Sequence, residues 1–233
     1  MHDSCRYLLA GCSFTDPAWQ TAIPWSVEFS KTHPVYIVAK AGMGIKGIAT
    51  ETLRYLNQMP NISTLIIVLP TLWRLDIEVD QETYLCNCMV DLLYSESNWH
   101  IVNLAKRKWI TSGGLRYERG TEQAELFDLL YKHQGFLVIA KEHFTALKAL
   151  LNYCKQCKIQ YYISAIQDPM DQLTGLDYVK DDIVALLDDV EYKNWFRFDN
   201  KFIDKFLGHT NHPSTAEHVL LCKHIINTTK SFI

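Results

Sequence analysis

Five aliphatic residues in a row, Leu65-Ile66-Ile67-Val68-Leu69, closed by Pro70, constrain this chain more than any other segment. A strand with one wet face alternates polar and apolar residues, whereas an unbroken apolar run of this length reads as a strand buried on both faces. Three further short runs have the same character: Tyr7-Leu8-Leu9-Ala10 ending at Gly11, Val35-Tyr36-Ile37-Val38-Ala39, and Tyr161-Tyr162-Ile163-Ser164-Ala165-Ile166. Helical spacing fills the intervals. One helix is expected to run through about Thr32, with Ile23, Val27 and Phe29 available for burial. A second is opened by the glycines at 42, 44 and 47, carries Ile48, Leu53, Tyr55 and Leu56, and stops at Pro60. Helical spacing returns at 122–131, 136–157, 181–189 and 215–227, the last with Ser214 as its N-cap. Strands alternating with helices predict a three-layer α/β/α architecture around a mainly parallel sheet.

At 233 residues, 48% hydrophobic and 21% charged, the chain has the apolar material for one such domain. Residues of about 72–134 mix apolar patches with polar turns and read as an insertion, a lid or substrate-facing wall. The formal charge of −3 supplies no broad basic field for nucleic acid, and Lys106-Arg107-Lys108 reads as a solvated face. No run approaches the eighteen or so apolar residues of a membrane helix. The N-terminus lacks the basic and hydrophobic regions of a secretory signal, so the expected location is cytoplasmic. Seven cysteines, an odd number thinly spread, do not form a disulfide framework. The pairs Cys86/Cys88 and Cys154/Cys157 lack the tight turns of a zinc ribbon, and the second sits in a helical pattern where a buried cysteine is a small apolar residue. The expectation is no metal and no cofactor.

Ligands of parallel sheets bind outside the carboxyl ends of the strands. The segments 11–15, 42–44 and 70–74 follow the first three strands and should converge on one rim. Ser13, in Gly11-Cys12-Ser13-Phe14-Thr15, sits where a sharp turn would present its hydroxyl, with backbone N–H groups able to hold an oxyanion; a serine after a strand is otherwise a cap. His212, in Gly208-His209-Thr210-Asn211-His212-Pro213, precedes the last helix and is of the type that shuttles protons near neutral pH; the plain alternative is an exposed or cap-bonded histidine.

Together these two segments resemble the first and last blocks of the SGNH/GDSL hydrolase superfamily. Gly11-Cys12-Ser13-Phe14-Thr15 matches the first block, usually Gly-Asp-Ser-Phe-Thr, and His212-Pro213 matches the His-Pro of the last. The family's second-block glycine falls on Gly42, and its third-block Asn position falls near Thr71. Pro70-Thr71-Leu72-Trp73-Arg74 looks like an Arg-bearing variant found in SGNH-like proteins of phage and surface-polysaccharide loci. The resemblance implies an acyl-transfer enzyme, esterase or O-acetyltransferase, acting on a small-molecule or polysaccharide ester. In it Ser13 is the nucleophile, His212 the base, and Ser13, Gly42 and Thr71 the oxyanion donors. Arg74 is a candidate to hold an anionic sugar or phosphate, with a surface ion pair as the other reading. Trp73, Trp99 and Trp109 are candidates for a sugar-stacking wall, or else packing residues.

Three departures stand against the family pattern. Cys12 replaces the block's acidic residue, Thr71 replaces the amide donor, and the acid before the catalytic histidine is absent. At its two possible spacings stand His209 and Thr210; Asp204 or Asp199 would serve only if the loop folds back. The missing acid leaves a second reading open, a binding module or pseudoenzyme that keeps the fold. A flavodoxin-like nucleotide or redox protein shares the coarse architecture. Gly42-Met43-Gly44, however, lacks dinucleotide-motif spacing, and Gly11-Cys12-Ser13 is not a P-loop.

Overall fold

The computed structural model describes residues 6–17, 23–59, 61–79, 95–96, 99–101, 108–111, 122–173, 176–197 and 214–230. The four apolar runs form the heart of a parallel sheet: β1 (Tyr7–Gly11), β2 (Val35–Ala39), β3 (Thr64–Leu69) and β8 (Gln160–Ala165). Leu65 to Leu69 are all fully buried, as an unalternating run requires. Each such aliphatic side chain contributes about 1.5–3 kcal/mol when removed from water. β1 lies between β2 and β3, pairing in parallel with both, and β8 pairs with β3.

Two short strands extend this sheet beyond β2. β6 (Trp99–Ile101) pairs parallel to β2, and β5 (Ser95–Glu96) closes the edge antiparallel to β6. The order across the sheet is therefore β5-β6-β2-β1-β3-β8. A separate two-stranded antiparallel ribbon joins β4 (Asp76–Val79) to β7 (Lys108–Thr111). The segment 72–134 thus contributes a ribbon, part of the main sheet and the start of a long helix among its described residues.

The helices cover both faces. From β1 the chain passes through α1 (Trp25–Ser30) to β2 on one side, then through α2 (Ile45–Leu56) to β3 on the other side of β1. Right-handed crossovers in opposite directions place α1 and α2 on opposite faces. α2 packs against α3 (Glu122–Gln156), which packs against α4 (Lys180–Asp189); α1 packs against α5 (Thr215–Lys230). The protein is a three-layer α/β/α fold with a mainly parallel sheet, as the alternation predicted.

Some details differ from expectation. α1 begins two residues after Ile23, which is 47% exposed, and Trp25 takes the inward position instead, fully buried with Phe29 behind it. The two expected helices at 122–131 and 136–157 are one element interrupted at Gly135, whose φ of 72° and ψ of 158° leave the helical region. Only glycine adopts that backbone readily. No helix among the described residues is long and apolar enough to cross a membrane.

Candidate active site

β1 is the strand from which successive connections leave in opposite directions, so the crevice at its carboxyl end is the topological switch point of the sheet. Ser13 stands there, 4% exposed, in a turn closed by hydrogen bonds from the Thr15 and Asp16 N–H groups to the Cys12 carbonyl. Gly11 permits this turn: a Cβ at that position would meet Thr15 Oγ1 at 2.1 Å and the Val68 carbonyl at 3.0 Å. Cys12 is fully buried. Among the described residues no hydrogen bond uses the Ser13 side chain, so it caps no backbone group there.

The loop after Ser13 is bonded inward. The Trp25 indole N–H donates to Thr15 Oγ1 at 3.2 Å, and Ser26 Oγ donates to the Thr15 carbonyl at 2.6 Å. The Asp16 carboxylate, 7% exposed, accepts the Ala41 N–H at 2.9 Å and so joins the first loop to the second. In the second loop the Met43 N–H bonds to the Lys40 carbonyl at 3.1 Å, with Gly42 at the third position of the turn and φ at 82°. That position of a type II turn needs a left-handed φ, hence glycine. Gly42, Met43 and Gly44 are buried.

The third loop lies directly against the second. A Cβ on Gly44 would approach the Arg74 carbonyl to 2.5 Å. Leu72 is buried, and its N–H donates to Gln172 Oε1 at 2.8 Å, which ties this loop to the one following β8. Thr71 is partly exposed. Trp73 is 39% exposed, with its ring 4.0 Å from that of Phe136 and its carbonyl accepting from the Tyr131 hydroxyl. Arg74 is partly exposed, yet its Nη1 atom is buried without a hydrogen-bond partner among the described residues. Trp109 is not a wall residue: it is 2% exposed and its indole N–H donates to the buried Glu51 carboxylate at 2.9 Å. The side chain of Trp99 lies outside the described residues.

His212, His209, Thr210, Asp204 and Asp199 lie outside the described residues. The described chain resumes at Ser214, where a reciprocal capping box opens α5: Ser214 Oγ accepts the Glu217 N–H at 3.4 Å, and Glu217 Oε2 accepts the Ser214 N–H at 2.7 Å. The first turn of α5 is bonded to the start of α1. Thr215 Oγ1 accepts the Ile23 N–H at 3.3 Å, and His218 Nδ1 accepts the Trp25 N–H at 3.3 Å. His218 is 3% exposed and its ring lies 6.4 Å from that of Phe14. Because α1 begins at the carboxyl rim, α5 begins there too.

Sequence reasoning did not find Asp76 or His143, both nearly fully buried at this rim. Asp76 accepts the N–H groups of Gly44 and Gly47, each at 2.8 Å. Burial pushes its carboxyl up from an ordinary 3.8 to about 6, against the lowering effect of those N–H groups and of Arg74 and Lys46. His143 Nδ1 accepts the Lys46 N–H at 3.2 Å, and burial pushes the imidazole down from 6.5 to about 4. Its ring lies against the carbonyls of Arg74 and Leu72, but Nε2 has no aligned partner among the described residues. No cluster of three or more His, Cys, Asp or Glu side chains among the described residues is placed to hold a metal ion. Of the second cysteine pair, Cys154 is buried and Cys157 exposed; Cys86 and Cys88 lie outside the described residues.

No family model and no curated protein matches the chain by sequence. Among solved structures it is similar to the psychrotrophic esterase EstA from Pseudoalteromonas sp., with a TM-score of 0.49 and 10% identity over 98% of each chain.

Proposed function

We propose that the chain is an SGNH-type serine esterase or O-acetyltransferase that acts on a carbohydrate ester through Ser13 and His212. The observation that carries this reading is the position of Ser13, on the turn after the switch-point strand, with the Gly42 and Thr71 loops on the neighbouring strands. Supporting the pairing with His212, Ser214 opens a helix whose first turn is bonded to the segment that follows Ser13.

In this reaction Ser13 Oγ attacks the ester carbonyl while His212 takes the hydroxyl proton. The N–H groups of Ser13 and Gly42 hold the developing oxyanion, with the Thr71 hydroxyl assisting. His212 returns the proton to the leaving alcohol as the acyl-enzyme forms. Water or a sugar hydroxyl then attacks the acyl group and regenerates Ser13. Trp73 and Arg74 border the approach on the third loop, where they contact a sugar ring and an anionic substituent. Neither a metal nor a cofactor takes part.

Labelling with a serine-reactive fluorophosphonate tests the reading. Wild-type protein is expected to be modified at Ser13, while Ser13→Ala is unlabelled and loses acetyl-ester turnover with its fold intact. An unmodified Ser13 in folded protein would turn the assignment to a binding module, the reading that the absent acid beside His212 favours.

A further inference from the structure

The first turn of a helix leaves N–H groups without intrahelical partners. In α2 these groups are not satisfied from the preceding loop. Gly44, the N-cap residue, makes no side-chain cap. Instead Asp76 takes the Gly44 and Gly47 N–H groups from the first residue of β4, and His143 takes the Lys46 N–H from α3. The fit is close: a Cβ on Gly44 or Gly47 would stand 2.7 or 3.0 Å from Asp76 Oδ2. Lys46 is held a second time, through its Nζ to Glu142 at 2.7 Å.

Gly44 is two residues from Gly42, and the turn containing Gly42 runs directly into this capped end. The loop is therefore pinned at both ends, by Asp16 on the Ala41 N–H and by Asp76 on the Gly44 N–H. We propose that Asp76, seconded by His143, is a positioning residue for acyl transfer, fixing the Gly42–Gly44 loop so that the Gly42 N–H is aimed at the oxyanion. This role rests on the function proposed above. Asp76 supplies no proton and touches no reacting atom; it acts through the backbone of α2. Loss of one oxyanion donor costs about 100- to 1,000-fold in kcat, and small misplacements cost up to about 100-fold.

The test uses the full chain with ¹⁵N-labelled, backbone-assigned glycine, measured at pH 8. There a histidine base is neutral. In Asp76→Asn the Gly42 amide resonance is expected to shift together with those of Gly44 and Gly47. Turnover of p-nitrophenyl acetate and fluorophosphonate modification of Ser13 should fall by at least about tenfold, with KM changed less than about threefold. His143→Ala should act in the same direction, and His143→Gln, whose amide oxygen can accept the Lys46 N–H, should recover most of the rate. A Gly42 amide that stays in place, or rates within about twofold of wild type, would overturn the positioning role. So would a change carried by KM alone. Should Asp76→Asn fail to fold, the His143 pair decides: recovery in Gln over Ala supports the role, and equal loss in both overturns it. Wild-type protein inert to both reagents would remove the proposed reaction, while the Gly42 shift still reports whether Asp76 controls the loop.

Discussion

The two sides of the rim are built by different means. On the α1–α5 side, the segment after Ser13 is held by the Trp25 indole on Thr15, Ser26 on the Thr15 carbonyl, and His218 on the Trp25 N–H, while the buried Asp16 carboxylate reaches across to the Ala41 N–H. On the α2–α3 side, the loop bearing Gly42 depends on buried ionisable groups. Asp76 and His143 cap α2, and Glu51, 1% exposed, ties Arg54 at 2.5 Å and Trp109 to the same helix. Arg54 passes the connection on to Glu78 of the β4–β7 ribbon at 2.8 Å. The Asp76–His143 cap gives the α2–α3 side a pH dependence that can be read from its two buried groups.

The largest effect expected on the α1–α5 side comes from Trp25→Ala. The side chain is fully buried, packs edge-on against Phe29 with ring centroids 6.4 Å apart, and carries the bond to Thr15. Truncating a buried Trp costs about 3–5 kcal/mol, which for a domain of this size lowers Tm by roughly 10 °C. Thermal unfolding at pH 5 and pH 8 should show the same loss at both, because no titrating group is removed. A loss confined to one pH would break the distinction between the two sides.

On the other side the two buried groups oppose each other. Asp76 binds its proton more tightly folded than unfolded, so its contribution to stability is fully present below about pH 4 and is lost as pH rises to about 6. His143 binds its proton less tightly folded. Its contribution is present above about pH 6.5 and is lost as pH falls to about 4. At about 1.4 kcal/mol per pH unit of displacement, each amounts to about 3 kcal/mol. Between about pH 4 and 6 they largely cancel in the wild type. Single variants should unmask them. Asp76→Asn leaves the His143 effect and loses stability as pH falls through that window; His143→Gln leaves the Asp76 effect and gains it. Urea unfolding at pH 4.5, 5.5 and 7 checks both slopes. Parallel slopes in the two variants would show that groups other than Asp76 and His143 set the pH dependence of this side.

What the sequence shows and what it hides follow the same division. The four buried strands were legible because apolar runs closed by Gly, Pro or a loop carry their own boundaries. The turns that carry Ser13 and Gly42 were legible because each follows a buried strand and Gly42 needs its left-handed backbone. β6, three residues with His100 in the middle, has no run to announce it and exists through pairing with Val35–Ile37. Asp76 and His143 were invisible as caps because their partners lie 32 and 97 residues away. An acid alternating with apolar Leu75 and Ile77 and a histidine in a long helix look like surface residues until tertiary packing buries them. Trp109 was open to a substrate-wall reading for the related reason that its anchor, Glu51, is 58 residues distant.

The smallest expected effect concerns the position that precedes the proposed base in the sequence. In a Ser-His-Asp triad the carboxylate sets the histidine's tautomer and stabilises the imidazolium formed during attack; in serine proteases, replacing it with Asn lowers kcat about ten-thousandfold. Here the corresponding positions are His209 and Thr210. Neither a histidine, neutral or protonated, nor a threonine contributes negative charge to the imidazolium. Wild-type hydrolysis should therefore be slow and limited by the base. His209→Asp, or Thr210→Asp for the shorter spacing, should raise turnover of an activated acetyl ester by at least roughly tenfold, about 1.4 kcal/mol of barrier. Each variant is assayed beside its Ser13→Ala double, which should erase the gain if it passes through the serine. Variants that fold normally and stay at the wild-type rate would show that the site draws its acid from elsewhere. A fast wild type would then point to Asp204; an inert one would point to the binding module. A gain that survives Ser13→Ala would place the reaction outside this crevice altogether.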